Sequence, residues 1–306
     1  MTDSQAPLVS QPMRPLDTVE PARFAMPKGA CDTHVHVFGP SDRYPCVAHP
    51  HYTLPDGNPD HLHALMDRLA FDHWVIVQPS FYGTDNRCLL DALAMAGDAA
   101  RGVVMIESDL PQAELERYHR LGVRGVRLDL FKRASLPMAE IRAYIDRMAA
   151  MVAPLGWHLQ FYAPGWIVRD LIDVLATLEI DFVIDHMGYM LEEDGLTATD
   201  FDRLLSLMTQ ARCWLKLSAP YRLAKKRGYE AVADVARAIV RTAPDRAIWG
   251  SDWPHIPESG RDTGELLNLL LDWAPDPAVR QQILADNPRR LFGLHQPAAA
   301  HGGACE

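Results

Sequence analysis

The chain lacks a cysteine framework. Its five cysteines, Cys31, Cys46, Cys88, Cys213 and Cys305, are scattered, odd in number and without C-x-x-C spacing, which argues against a disulfide-stapled fold or a zinc knuckle. Positive charge is also short. Thirty Lys and Arg against forty Asp and Glu leave a net charge of -10, so nucleic acid and anionic membrane surfaces are poor partners, and an anionic ligand would need a local cationic pocket. No apolar stretch approaches membrane-spanning length, and no basic segment followed by an apolar run opens the chain; the expectation is a soluble, cytoplasmic protein. No G-x-G-x-x-G follows the first apolar run, which argues against a dinucleotide-binding open sheet.

What is present is apolar content enough for a large core, 48% of 306 residues. Residues 1–26, rich in Pro and polar side chains, read as a poorly structured arm lying on the surface or on a neighbouring subunit, and 296–306 as a tail of the same kind. Between them, over 27–295, one pattern repeats: a short apolar and β-branched run, a polar loop, then an amphipathic helical stretch. The runs are ACDTHVHVF, HWVIVQPS, RGVVMIESD, VRGVRLDL, HLQFYAP, DFVIDHMG, CWLKLSAP and RAIWGSDWP. Eight β-then-α units predict an α/β fold of the (β/α)8 TIM-barrel type, with a doubly wound open sheet as the rival.

In each run the polar residues gather at the C-terminal end, the end that faces the mouth of such a barrel. His34 and His36, two apart in DTHVH, point the same way on a strand. Closure sets the eighth strand beside the first, so Asp252 lies next to both histidines, and His186 faces them from the sixth strand. A carboxylate beside two imidazoles can act as a general base for water or join them as a metal ligand. Gln78 and Ser80 end the second run and Tyr162 the fifth, all candidates for substrate contact; His158, at the start of the fifth, is expected to be structural. Arg127 within the fourth run, with Arg133 and Arg222 in the loops after the fourth and seventh, would form a carboxylate-binding site if they converge. An inward guanidinium needs an anionic partner, and Asp129, two residues along the same face, is the internal alternative to a ligand.

DTHVHVFGP, VIVQPSFYGTDN, GVRGVRLDLFKR, VIDHMG and WGSDWPH, in this order over nearly all of 27–293, resemble the amidohydrolase superfamily and most closely its 2-pyrone-4,6-dicarboxylate lactonase group. The resemblance implies a (β/α)8 barrel that opens a lactone by adding water to the ester carbonyl. It also implies roles: Asp252 as base, His34, His36 and His186 as carbonyl-orienting groups, and Tyr52, Arg127, Arg133, Tyr162 and Arg222 as ligands for substrate carboxylates.

Two departures from the resemblance bear on chemistry. Binuclear members carry a bridging lysine or glutamate on the fourth strand and a histidine on the fifth, where this chain has Arg127 and Tyr162; a two-metal centre is not expected. The lactonase group implies that no cofactor is required, with one zinc or other divalent cation on His34, His36 and Asp252 as the alternative. In DHMGYM, Tyr189 stands where the lactonase pattern has arginine. The expected function is hydrolysis of a small anionic lactone, a pyrone dicarboxylate or a muconolactone. The rivals are a metal-dependent nonoxidative decarboxylase of an aromatic or enol acid, and a noncatalytic barrel that binds organic acids. Oligomeric state is open, with a homo-oligomer allowed.

Overall fold

The computed structural model describes residues 15–47, 54–55, 57–191, 196–210, 212–225, 228–256 and 260–295. Tyr52 lies outside the described residues. Eight strands, β1 (Cys31–Val35), β2 (His73–Val77), β3 (Ala100–Val104), β4 (Val123–Asp129), β5 (His158–Tyr162), β6 (Phe182–Ile184), β7 (Cys213–Ser218) and β8 (Ala247–Gly250), pair in parallel in sequence order. Helices fill the connections, as a parallel sheet covered on its outer face requires. Every residue of β1, β2 and β3 is buried. That is why these strands read as apolar runs rather than as alternating patterns.

The helix Glu230–Thr242 shows how the outer layer attaches: Val232, Val235, Ala236, Ile239 and Val240 recur at helical spacing and are buried. Full burial of each Val or Ile stabilises the fold by roughly 1.5–3 kcal/mol. The lower end of the barrel is apolar, with Cys31, Val75, Val103, Val183, Trp214 and Ile248 packed together and Phe292 of the helix Asn287–Phe292 set against them. His158, at the start of β5, is buried there with its ring edge-on to Phe292.

The barrel closes between β8 and β1. Val35 bridges Trp253 in parallel, His36 N donates to Trp253 O at 2.8 Å, and Asp252 N donates to His34 O at 2.9 Å. The buried Asp32 carboxylate stitches the same seam, accepting from His34 N and Ser251 N, both at 3.0 Å. Gly250 is required here, because a Cβ would fall 2.6 Å from His34 Cβ and 2.9 Å from its backbone nitrogen.

Residues 15–26 form neither helix nor strand but are tied down. Glu20 N donates to both Asp262 carboxylate oxygens, at 2.9 and 3.0 Å, while the Asp262 side chain also caps the helix Thr263–Asn268. Asn268 accepts from Arg23 N at 2.7 Å and donates to Pro21 O at 3.0 Å. The expected surface arm is therefore pinned over its described part, because its backbone groups find side-chain partners on the barrel. No helix among the described residues is long and apolar enough to cross a membrane.

Candidate active site

The closing seam places Asp252 beside the H-x-H pair, since its own N–H bonds the His34 carbonyl. Asp252 adopts a left-handed φ of 62°. Its Oδ2 accepts from Tyr221 OH at 2.5 Å and from Arg222 Nε at 2.9 Å. Its Oδ1 makes no hydrogen bond, yet lies 3.4 Å from His36 Nε2, 3.5 Å from His34 Nε2 and 3.9 Å from His186 Nε2. Burial would raise this carboxyl, but the Arg222 guanidinium and the surrounding histidines outweigh it and hold Asp252 well below the usual carboxylate range.

Each imidazole is oriented through its other nitrogen. His36 Nδ1 lies 2.8 Å from the Val77 carbonyl, which can only accept, so Nδ1 carries a proton and Nε2 is the nitrogen turned toward Asp252. His186 Nδ1 lies 2.7 Å from Ser218 Oγ on β7. Burial pushes His186 down to about 4, so it is neutral near pH 7. His34 Nδ1 faces Lys216 Nζ at 3.1 Å and Asp185 Oδ1 at 3.4 Å. Neither Lys216 nor Asp185 was singled out from sequence beyond being polar at a strand end. Both are buried completely and are 3.2 Å apart.

His186 opens an unusual turn. His186, Met187, Gly188 and Tyr189 have φ of 51°, 51°, 68° and 54°. Three of these four are not glycine, and each pays about 1–2 kcal/mol for the left-handed region. Such strain persists only where surrounding packing fixes it. The turn directs His186 toward Asp252 and buries Tyr189 against Phe131 and Tyr162, at ring-centroid distances of 5.3 and 6.2 Å.

Above His36 a cleft of about 320 Å³ opens, walled by Arg127, Tyr162, Phe131, Lys132, Arg222 and Ser80. Arg127 donates Nη1 to the Gln78 carbonyl at 3.1 Å and stacks 4.2 Å above the Tyr162 ring. Its closest carboxylate contact is Asp185 Oδ2, 3.8 Å from Nε. Asp129 is not its partner, because that carboxylate accepts from Ser80 Oγ at 2.6 Å and Lys132 N at 3.3 Å. Arg222 reaches the cleft but is engaged, with Nε on Asp252 and Nη2 on the Ile256 carbonyl at 2.5 Å.

The three arginines do not converge as a set. Arg133 turns away and stacks 4.2 Å over Tyr144, while Lys132 lines the cleft in its stead with Nζ 2.8 Å from the Ser80 carbonyl. Strand alternation ends at Asp129, and the turn that follows, fixed by Asp129 accepting from Lys132 N, decides which side chain faces in. Gln78 commits its amide nitrogen to the carbonyls of Gly83 and Asp85, at 3.0 and 2.9 Å, and so braces the loop after β2 rather than lining the cleft. Tyr221, absent from the residues read from sequence, meets Asp252 through a non-local contact that no local pattern signals.

Nε2 of His34, Nε2 of His36 and Oδ1 of Asp252 suit a single divalent cation in type and spacing. Separations of 3.4 and 3.5 Å from Oδ1 match the edge of a tetrahedron with metal–ligand bonds of about 2.05 Å, which is about 3.4 Å. Arg127 and Tyr162 on β4 and β5 supply no bridging ligand for a second ion.

Comparison with known proteins agrees with this architecture. The amidohydrolase family model matches residues 31–294. The chain is 35% identical over 284 residues to a 2-pyrone-4,6-dicarboxylate hydrolase of Comamonas testosteroni, covering 88% of this chain and 92% of that protein. It is 36% identical over 279 residues to a 4-sulfomuconolactone hydrolase of Rhizobium radiobacter, covering 90% and 93%. A solved structure from Pseudomonas putida, described as a putative 2-pyrone-4,6-dicarboxylic acid hydrolase, superposes with a TM-score of 0.75 at 35% identity, covering 89% of this chain and 100% of that one.

Proposed function

Since the chain belongs to the amidohydrolase family, we propose that it is a hydrolase that opens a small anionic lactone by adding water to the ester carbonyl. The observation that carries this reading is Asp252, with one oxygen fixed by Tyr221 and Arg222 and the other turned without a hydrogen bond toward three imidazoles beneath a cationic cleft. The two hydrolases it resembles almost equally share lactone opening and differ in the acid group of the substrate. Lactone hydrolysis is therefore the common ground, and the acid group the point of divergence.

In this mechanism the substrate's acid group rests on Arg127 and Lys132 and its ring lies along Tyr162 and Phe131. Asp252 Oδ1 takes a proton from water as the water attacks the carbonyl carbon; an imidazole N–H stabilises the oxyanion; and collapse expels the ring oxygen, to which Asp252 returns the proton. Because Asp252 is held well below the usual range, it is ionised at neutral pH and is a weak base. Positioning of the water must supply much of the rate. A divalent cation on His34, His36 and Asp252 would polarise the same carbonyl and acidify its water. We infer that turnover does not depend on one, as the resemblance to the lactonase group implies; Arg127 and Tyr162 on β4 and β5 leave no bridging ligand for a second ion.

The test is a screen of carboxylated lactones for proton release with native protein and with Asp252→Asn, which keeps shape but cannot accept a proton. Turnover should fall by roughly two to four orders of magnitude while binding persists. Near-normal turnover in the variant would remove Asp252 from the mechanism, and release of carbon dioxide would replace hydrolysis by decarboxylation. Within the screen, the neutral Tyr189 hydroxyl in place of a guanidinium favours lactones with one carboxylate fewer than the pyrone dicarboxylate, or with the group differently placed. Activity should also survive exhaustive chelation. Loss on chelation and return with one equivalent of zinc would assign carbonyl polarisation to an ion.

A further inference from the structure

Tyr189 brings bulk to the wall of the cleft as well as a neutral hydroxyl. Its buried ring meets Phe131 edge-on, with 5.3 Å between centroids and 73° between planes. Phe131 in turn lies 4.5 Å from Tyr162, whose ring is pinned by the Arg127 guanidinium 4.2 Å above it. The three aromatic rings form one contiguous block at and beyond the ends of β4, β5 and β6. Within it Phe131 is the most exposed member, 36% open to solvent on the wall of the cleft.

Phe131 has little room to retreat. Its turn is closed by Arg133 N donating to Leu130 O at 3.2 Å, and it is held to the neighbouring loop by Lys132 Nζ on the Ser80 carbonyl. Against its ring stands Tyr189, 5% exposed and set in the left-handed turn that also aims His186. Inward movement of Phe131 must therefore displace that turn. A cleft of about 320 Å³ is at the small end of the range for small-molecule sites, so a rigid ring on its wall becomes a limit on what enters. A close-packed wall that cannot give penalises an oversized ligand much as overpacking penalises a core.

We propose that Phe131 is a specificity-determining residue that limits the substrate to a single ring, with Tyr189 as the positioning residue that braces it. A monocyclic lactone carrying an acid group fits; the same lactone fused to a benzene ring does not. For turnover this rests on the lactonase reading, while the size limit itself holds for any carboxylated ring that binds in the cleft.

The test pairs 2-pyrone-6-carboxylate with isocoumarin-3-carboxylate, which keeps the same ester and the same acid group and adds one fused benzene ring. Native protein should favour the single ring by about 10²-fold in kcat/KM. Phe131→Ala should bring that ratio below about tenfold through a gain on the fused lactone, and Phe131→Leu should fall between. Tyr189→Ala should relax the ratio in the same direction. Tyr189→Phe, which keeps the ring and drops the hydroxyl, should leave it as in the native protein. Each ratio compares two substrates in one preparation, so a partly unfolded variant still reports it. Calorimetry with benzoate and 2-naphthoate, which have no ester to open, reads the same limit as a ratio of Kd values. Native protein that handles single and fused rings alike overturns the proposal, as does a ratio that Phe131→Ala leaves unchanged. A ratio relaxed by Phe131→Ala but not by Tyr189→Ala overturns the brace. If neither lactone is opened, yet benzoate binds more tightly than 2-naphthoate until Phe131 is truncated, the lactonase reading is lost and the size limit stands.

Discussion

Charge at the cleft is decided one side chain at a time. Arg127 has its guanidinium on Tyr162 and, among the described residues, no carboxylate within 3.8 Å other than Asp185, which also meets Lys216 and Gln160, and Lys132 reaches the same wall from the exposed side. Replacing either by Met should weaken binding of a carboxylated lactone by about 1.5–3 kcal/mol, the worth of a charge-assisted hydrogen bond, with little effect on an uncharged lactone of similar size. Arg133→Met should change KM by less than about 0.5 kcal/mol, because its guanidinium lies on Tyr144 instead. Steady-state kinetics on the paired substrates separates the three. Equal losses on charged and uncharged lactones would make Arg127 and Lys132 supports of the fold rather than ligands. The residues on strands were legible in the sequence for a simple reason: alternation within β4 puts Arg127 inward. Beyond Asp129 that rule ends, so Arg133 and Lys132 could not be told apart without the turn that follows.

At the scale of elements, the strands declared themselves because a barrel strand is buried on both faces and becomes polar only at its mouth end. All eight apolar runs contain a strand. The left-handed turn from His186 to Tyr189 was not legible, since a single glycine in DHMGY gives no hint of four residues at positive φ. Nor was the placement of Tyr221 and Arg222 on Asp252, which depends on how the short helix Pro220–Ala224 leaves β7. The seam between β1 and β8 was legible only as adjacency. Its tightness rests on Gly250, whose missing side chain lets the backbone approach His34. Gly250→Ala should destabilise the protein by about 1–3 kcal/mol through overpacking. It should also lower kcat more than it raises KM, because the displaced seam carries Asp252 while the cleft cations sit on other strands. Urea titration together with kinetics reads both effects. An alanine variant with native kcat would show that the seam tolerates displacement and does not set the position of Asp252.

Across the whole molecule, the barrel has enclosed imidazoles that must stay neutral, and this predicts its behaviour in acid. Burial pushes His158 at the lower end, His186 at the mouth and His255 beyond β8 each down to about 4, from 6.5. With the folded pKa below the unfolded one, the two states are equally deprotonated well above pH 6.5, so these groups then contribute nothing to the pH dependence. As pH falls below 6.5 the unfolded chain binds protons that the folded chain refuses, and stability declines until the folded pKa near 4 is reached. A shift of this size amounts to about 3 kcal/mol per histidine over the full window, of which about 2 kcal/mol is lost between pH 7 and pH 5. His158 is the cleanest probe, being remote from Asp252 and set against Phe292 in the apolar lower core. His158→Leu removes its titration while keeping an apolar-compatible side chain. The native unfolding free energy from urea titration should drop between pH 7 and pH 5, and the variant's drop should be smaller by about 2 kcal/mol, whatever the variant's stability at pH 7. If native and variant lose the same free energy over that interval, His158 takes up its proton equally in both states, and the acid limb belongs to other groups.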